Sequence, residues 1–184
     1  MTRRLPYILT ALCALILVTP SRAQEAAARA QEAATAPKCP EEAAALPAEL
    51  APWTAPTSMT AATKPEEASK AVIKLGSAVK AALFHTPEVN YAARPVKPGG
   101  SVAYGGLFQI AIAEPGNYRV VIGNASWVDV VKDGEKIESI HHGGGPACSG
   151  IRKMVDYPLQ KGEYLVQLSA GGDAQTGVLV VKLP

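Results

Sequence analysis

The sequence predicts an all-β protein, an antiparallel sandwich of jelly-roll type preceded by a low-complexity, alanine-rich tail. Three observations carry this. From Ala71 onward, runs rich in Val, Ile, Leu and Tyr alternate with Gly, Pro and Asn/Asp punctuation at roughly 8–12-residue spacing. Several runs have a period of two: Tyr118, Val120 and Ile122 share one face, as do Tyr164, Val166 and Leu168. No long helical pattern separates the runs, so neighbouring strands should pair antiparallel. A single closed barrel is the alternative arrangement of the same strands.

Residues 1–23 read as an export signal. Arg3 and Arg4 give the positive start, Leu5 to Val18 is the apolar run, and Pro20 breaks it. Ser21-Arg22-Ala23 suits a signal peptidase cut before Gln24. The apolar run is short for a membrane span, which needs about 20 residues, and no later segment is long and apolar enough to cross a bilayer. The cut would leave a periplasmic or secreted chain of residues 24–184, enough for one domain with a real core plus a tail.

The formal charge of the whole chain is +2. The signal contributes Arg3, Arg4 and Arg22 and no acid, so the exported part holds one more acidic than basic residue. A dense basic patch is missing, so nucleic acid is not an expected partner. An unknown small molecule or an envelope component is.

Residues 24–38 repeat Gln-Glu-Ala-Ala and have no apolar face to bury, so they read as a solvated linker. Residues 39–70 read as an N-terminal strap, with Leu46, Leu50 and Trp53 packing on the domain edge and Trp53 in an extended stretch. Residues 71–184 are the sandwich. Its strands are expected at 71–75, 78–85, 88–93, 106–113, 117–123, 126–132, 135–141, 152–159, 163–169 and 176–183. Asp133-Gly134 marks a hairpin turn, and Gly116-Asn117 and Lys161-Gly162 mark further turns. With Cys13 lost in the signal, Cys39 and Cys148 remain, and an even pair in an oxidising compartment reads as a disulfide. The alternative is a free Cys148 serving as a metal ligand.

One loop stands out: His141-His142-Gly143-Gly144-Gly145-Pro146-Ala147-Cys148-Ser149-Gly150, followed by Arg152-Lys153. Glycines let backbone approach a ligand, so Gly143, Gly144 and Gly145 with Arg152 and Lys153 form a candidate ligand loop. The plainer reading is a long connection pinned at Cys148. Arg152 suits a carboxylate or sulfate, or else an ion pair with Asp156. The chain has three histidines. His85, Glu88 and one or both of His141 and His142 are the candidate metal set, for iron, copper or zinc, because imidazole and carboxylate are the ligand chemistry of those ions. Adjacent residues on a strand point to opposite faces, which argues against both His141 and His142 ligating together. Tyr91, Tyr104 and Trp127 are either core residues or stacking platforms. Asn124-Ala125-Ser126 matches a glycosylation sequon. No nucleophile elbow surrounds Ser149, and no spacing selects a pair among Glu114, Asp129 and Asp156, so no catalytic residue is assigned.

Pro115-Gly116-Asn117-Tyr118-Arg119-Val120, Lys132-Asp133-Gly134 and Lys161-Gly162-Glu163-Tyr164 resemble the pre-peptidase C-terminal domains of secreted bacterial proteins. The resemblance spans residues 70–184 and implies a small jelly-roll module without catalysis. The run His142 to Lys153 and the segment Leu46 to Trp53 resemble small exported proteins of alphaproteobacteria, some identified as homogentisate dioxygenases. That second resemblance implies a non-haem iron enzyme that opens an aromatic ring. The reading expected here is an exported, non-catalytic binding or envelope-associated sandwich. A metal-dependent dioxygenase is the alternative.

Overall fold

The computed structural model describes Cys39 and residues 45–184. The expected export signal and the linker of residues 24–38 lie outside the described residues. Among the described residues, eleven strands follow one another: β1 Thr57–Thr60, β2 Val79–Ala82, β3 Phe84–His85, β4 Tyr104–Ile112, β5 Gly116–Ile122, β6 Trp127–Lys132, β7 Glu135–Ile137, β8 His141–Gly143, β9 Lys153–Leu159, β10 Gly162–Gly171 and β11 Gln175–Lys182. They form a six-stranded sheet, β1-β2-β11-β5-β9-β8, and a five-stranded sheet, β3-β4-β10-β6-β7. Without the edge strands β1, β3 and β8, the order is β2-β11-β5-β9 over β4-β10-β6-β7, and every neighbour is antiparallel. Among these eight strands, only the β6–β7 hairpin stays within one sheet; each other connection crosses between sheets. That is the jelly roll the sequence predicts, and the barrel alternative falls because two separate sheets are present.

The period of two sets the interior. Tyr118, Val120 and Ile122 of β5 face Val128 and Val130 of β6, Tyr164, Val166 and Leu168 of β10, and Phe108 and Ile110 of β4 in one buried cluster. The β6–β7 turn places Asp133 at φ 52° and Gly134 at φ 82°. Two left-handed residues twist the hairpin in the sense its strands require, which explains the Asp-Gly pair.

The six-stranded sheet is apolar on both faces. In β11, Val178 and Val180 point to the interior while Leu179 and Val181 point outward; in β5, Val121 points outward. A second cluster therefore forms on the outer face, where Leu50, Leu46 and Trp53 pack with Val121, Met154, Ile151, Leu179 and Val181. The strap thus lies across a sheet face, not along an edge. It is a 3-10 helix, Ala48–Thr54, and not the extended stretch expected. Trp53 Nε1 donates to the Ser149 carbonyl at 3.0 Å. A Cβ on Gly177 would sit 2.5 Å from the Trp53 ring, so β11 needs glycine where the indole crosses it. Cys39 and Cys148 are disulfide-bonded, with Cα atoms 5.6 Å apart, so Cys148 is no free metal ligand.

Several strand expectations need correction. Residues 71–75 follow a 3-10 helix, Pro65–Lys70, and make only one bridge, Val72 to Gln109. Residues 88–93 hold no strand; a 3-10 turn, Thr86–Glu88, carries Pro87, and coil follows. The 135–141 run breaks into β7 and β8, which belong to different sheets. β1 lies inside the strap region and pairs parallel to β2, the one exception to antiparallel pairing among the named strands. The 18 residues between β1 and β2 supply the return that a parallel pair needs.

The disulfide spans a sequence separation of 109, for which the chain-entropy account gives about 4–5 kcal/mol. A Cys39→Ser, Cys148→Ser variant should therefore melt roughly 10 °C lower than the oxidised protein in a thermal scan. An unchanged midpoint would show that the strap is held by packing alone.

Candidate functional site

A cleft of about 120 Å³ lies between β6 of one sheet and β8 and β9 of the other. Trp127, Val128, Ser139, His142, Lys153, Val155 and Tyr157 line it. Strand alternation places these groups. His142 pairs with Val155, so both turn toward the interior, while His141 pairs with Asp156 and turns outward. The expectation that the two histidines part company holds for this reason.

Lys153 Nζ donates to the Ser126 carbonyl at 2.7 Å and lies 5.6 Å from the Trp127 ring centroid. Lys97 Nζ, from the loop before β4, lies 5.1 Å from the same centroid. Burial, with repulsion from Lys97 and Arg152, holds the Lys153 ammonium below the ordinary lysine range. Trp127 is itself fixed: its Nε1 donates to Asp129 Oδ1 at 3.1 Å, and Gln167 Nε2 donates to Asp129 Oδ2 at 3.3 Å. Tyr157 Oη donates to the Val128 carbonyl at 2.9 Å, tying the two sheets beneath the cleft. Burial, then the charges of Asp129 and Glu138, push the Tyr157 hydroxyl well above its ordinary value, so it stays a protonated donor.

The structure gathers His142, Lys153 and Trp127 from the sequence-predicted candidates. It does not gather the metal set. His85 ends β3, at the outer edge of the five-stranded sheet, and its ring stacks on Tyr104 with centroids 4.4 Å apart. Glu88 lies in the exposed turn after it. His141 and His142 lie on β8, the edge strand of the other sheet. β9 faces β6 through the Tyr157–Val128 bond, and the strap side faces β4 through the Ala62–Leu107 bridge. β3 and β8 therefore mark opposite edges of the sandwich. Among the described residues, no group of three or more His, Cys, Asp and Glu side chains stands close enough to hold a metal ion.

The ligand loop serves packing first. A Cβ on Gly145 would collide with Ile151, so this glycine lets the loop close onto the outer cluster. Ser149 Oγ donates to the Pro146 carbonyl at 2.6 Å and accepts from the Ile151 amide at 3.1 Å, which is turn chemistry. Gly143 and Gly144 meet no such crowding. Arg152 is exposed and does not pair with Asp156. Four residues along a strand are about 13 Å apart, whereas Arg119 stands directly across from Asp156 on β5. Arg119 Nε and Nη2 donate to the two Asp156 carboxylate oxygens at 2.7 and 2.8 Å. His141 Nδ1 lies 3.5 Å from Asp156 Oδ2. Asn124 of the sequon is buried, and its Oδ1 accepts from the Ser126 amide, so the folded chain does not present it at the surface.

Sequence reasoning missed Ser139 and Tyr157, which line the cleft, and Lys97, which lies over the Trp127 ring. They come from separate segments brought together by the fold, which leaves no local motif.

No protein-family description matches this chain, and no curated protein matches it. Fold and cleft together define the class: an eight-stranded jelly-roll sandwich with three added edge strands and a disulfide-held strap. Among solved structures, the chain is similar to the pre-peptidase C-terminal domain of a collagenase from Bacillus anthracis, at 12% identity and a TM-score of 0.38. The overlap covers 60% of this chain and 92% of that one.

The Arg119–Asp156 pair yields a prediction. The Asp156 side chain is 6% exposed and that of Arg119 is 19% exposed. Arg119→Met would strand a buried carboxylate and should cost about 3 kcal/mol in denaturant unfolding. A variant as stable as the parent would mean that water or His141 replaces the guanidinium.

Proposed function

We propose that this chain is an exported, non-catalytic sandwich that acts in the periplasm or outside the cell as a binding or envelope-associated module, with the Trp127–His142 cleft as its ligand site. The observation that carries this reading is the convergence, from two sheets, of groups suited to holding a ligand. The cleft offers an indole surface, an ammonium, an imidazole and a serine hydroxyl over an apolar floor. Its buried hydroxyl, Tyr157, is committed to the Val128 carbonyl. The disulfide supports the compartment, since such bonds persist in oxidising surroundings. Among the described residues, no helix is long and apolar enough to cross a membrane.

The dioxygenase alternative needs His85 and Glu88 on one iron with His141 or His142. Their positions at opposite edges of the sandwich give it no support.

The test is export followed by co-sedimentation. The full chain, expressed in a Gram-negative host, should be recovered from the periplasm with Gln24 as its first residue and no free thiol. It should sediment with purified peptidoglycan sacculi or outer-membrane vesicles, and Trp127→Ala should abolish this while leaving the melting midpoint within a few degrees. Cytoplasmic retention, or equal sedimentation of the Trp127→Ala protein, would contradict the reading.

A further inference from the structure

The charges around Trp127 do not balance locally. Lys97, from the loop before β4, and Lys153, at the start of β9, converge there, and Arg152 adds its charge beside Lys153. Among the described residues, none of the three makes an ion pair. The acids nearby are Asp129 and Glu138. Asp129 is 7% exposed and already accepts bonds from Trp127 and Gln167, while Glu138 is exposed and in ion-pair contact with none of the three cations. Arg119 holds Asp156 and Lys182 holds Glu114 at 2.6 Å, whereas Lys97 and Lys153 share the Trp127 ring with no acid among the described residues in ion-pair contact. Two ammoniums over one indole, beside an open cleft, make a positive and partly desolvated rim, where an anion gains most.

Size narrows the ligand further. About 120 Å³ is well below the ~300–1,000 Å³ of a pocket that encloses a drug-sized molecule. The cleft takes the end of a ligand. Val128, Val155 and Tyr157 supply an apolar floor, and His142 and Ser139 sit exposed at the mouth.

We propose that this cleft is a site for an oxyanion group, a carboxylate or a phosphate or sulfate ester, carried on the apolar or ring-shaped end of a larger ligand. Lys153 and Lys97 meet the charge, and Trp127 with the floor meets the ring. This rests on the cleft being the ligand site.

Calorimetric titration of the exported, oxidised protein tests it with four probes: benzoate, phenyl phosphate, benzyl alcohol and inorganic phosphate. Benzoate and phenyl phosphate should bind at least about tenfold more tightly than benzyl alcohol, and added salt should weaken them. Lys153→Met should weaken benzoate by about tenfold. Lys97→Met should do likewise, and it removes an exposed side chain that folding does not need. Benzyl alcohol binding as tightly as benzoate would overturn the oxyanion assignment and leave the cleft as a neutral ring site. Inorganic phosphate matching phenyl phosphate would overturn the apolar body of the ligand. If no probe binds while Trp127→Ala still abolishes sedimentation with sacculi, the oxyanion assignment falls and the binding module stands. If both fail, both readings fall.

Discussion

The six-stranded sheet has two apolar faces and only one partner sheet. Val178-Leu179-Val180-Val181 in β11 alternates inward and outward with no polar residue, a pattern suited to a strand buried on both sides. The five-stranded sheet covers the inner face, and something must cover the outer one. The strap does, through Leu50 and Trp53. Its 3-10 helix is short, so its own hydrogen bonds hold little, and its place is set at two points: the disulfide at Cys148 and the indole bond to Ser149. The Gly-rich connection before β9 is the dock for both. Gly145 follows from that duty, because Ile151 leaves no room for a side chain there.

The cleft follows from the same architecture. The chain leaves the five-stranded sheet after β7 and crosses to β8, a three-residue edge strand. Because β8 is short, the margin between the sheets stays partly open there, and His142 and Ser139 border the opening. On the strap side, residues 62–73 instead bond to β4 through the Ala62–Leu107 and Val72–Gln109 bridges.

Much of the fold was legible in the residues because inward and outward positions alternate. The strands from β4 to β6 and from β9 to β11 fall within a residue or two of their expected bounds, and Asp133-Gly134 sits at the expected hairpin. The cysteine pairing was legible once Cys13 was set aside with the signal. Register was not. Nothing local says that Arg119 will stand across from Asp156, so Arg152 looked like the partner. The strap's alanines and prolines carry no helical period, so its 3-10 helix leaves no mark in the sequence, and Thr57-Ser58-Met59-Thr60 has too little apolar character to signal β1. Trp127, His142 and Lys153 are visible as residue types. Ser139 and Tyr157, which complete the polar lining, and Lys97, over the Trp127 ring, come from distant segments. His85 looked like a ligand only because the sequence does not show which edge of which sheet it occupies.

The central claim is that the strap shields one face of one sheet, and native-state hydrogen exchange on oxidised and reduced protein tests it most directly. Reduction should speed exchange at Leu50–Thr54 and at the outward-facing β5 and β11 positions Val121, Leu179 and Val181. The amides of β4, β6 and β10 should keep their protection. Uniform loss of protection across both sheets, or no change at Val121 and Leu179, would contradict the account.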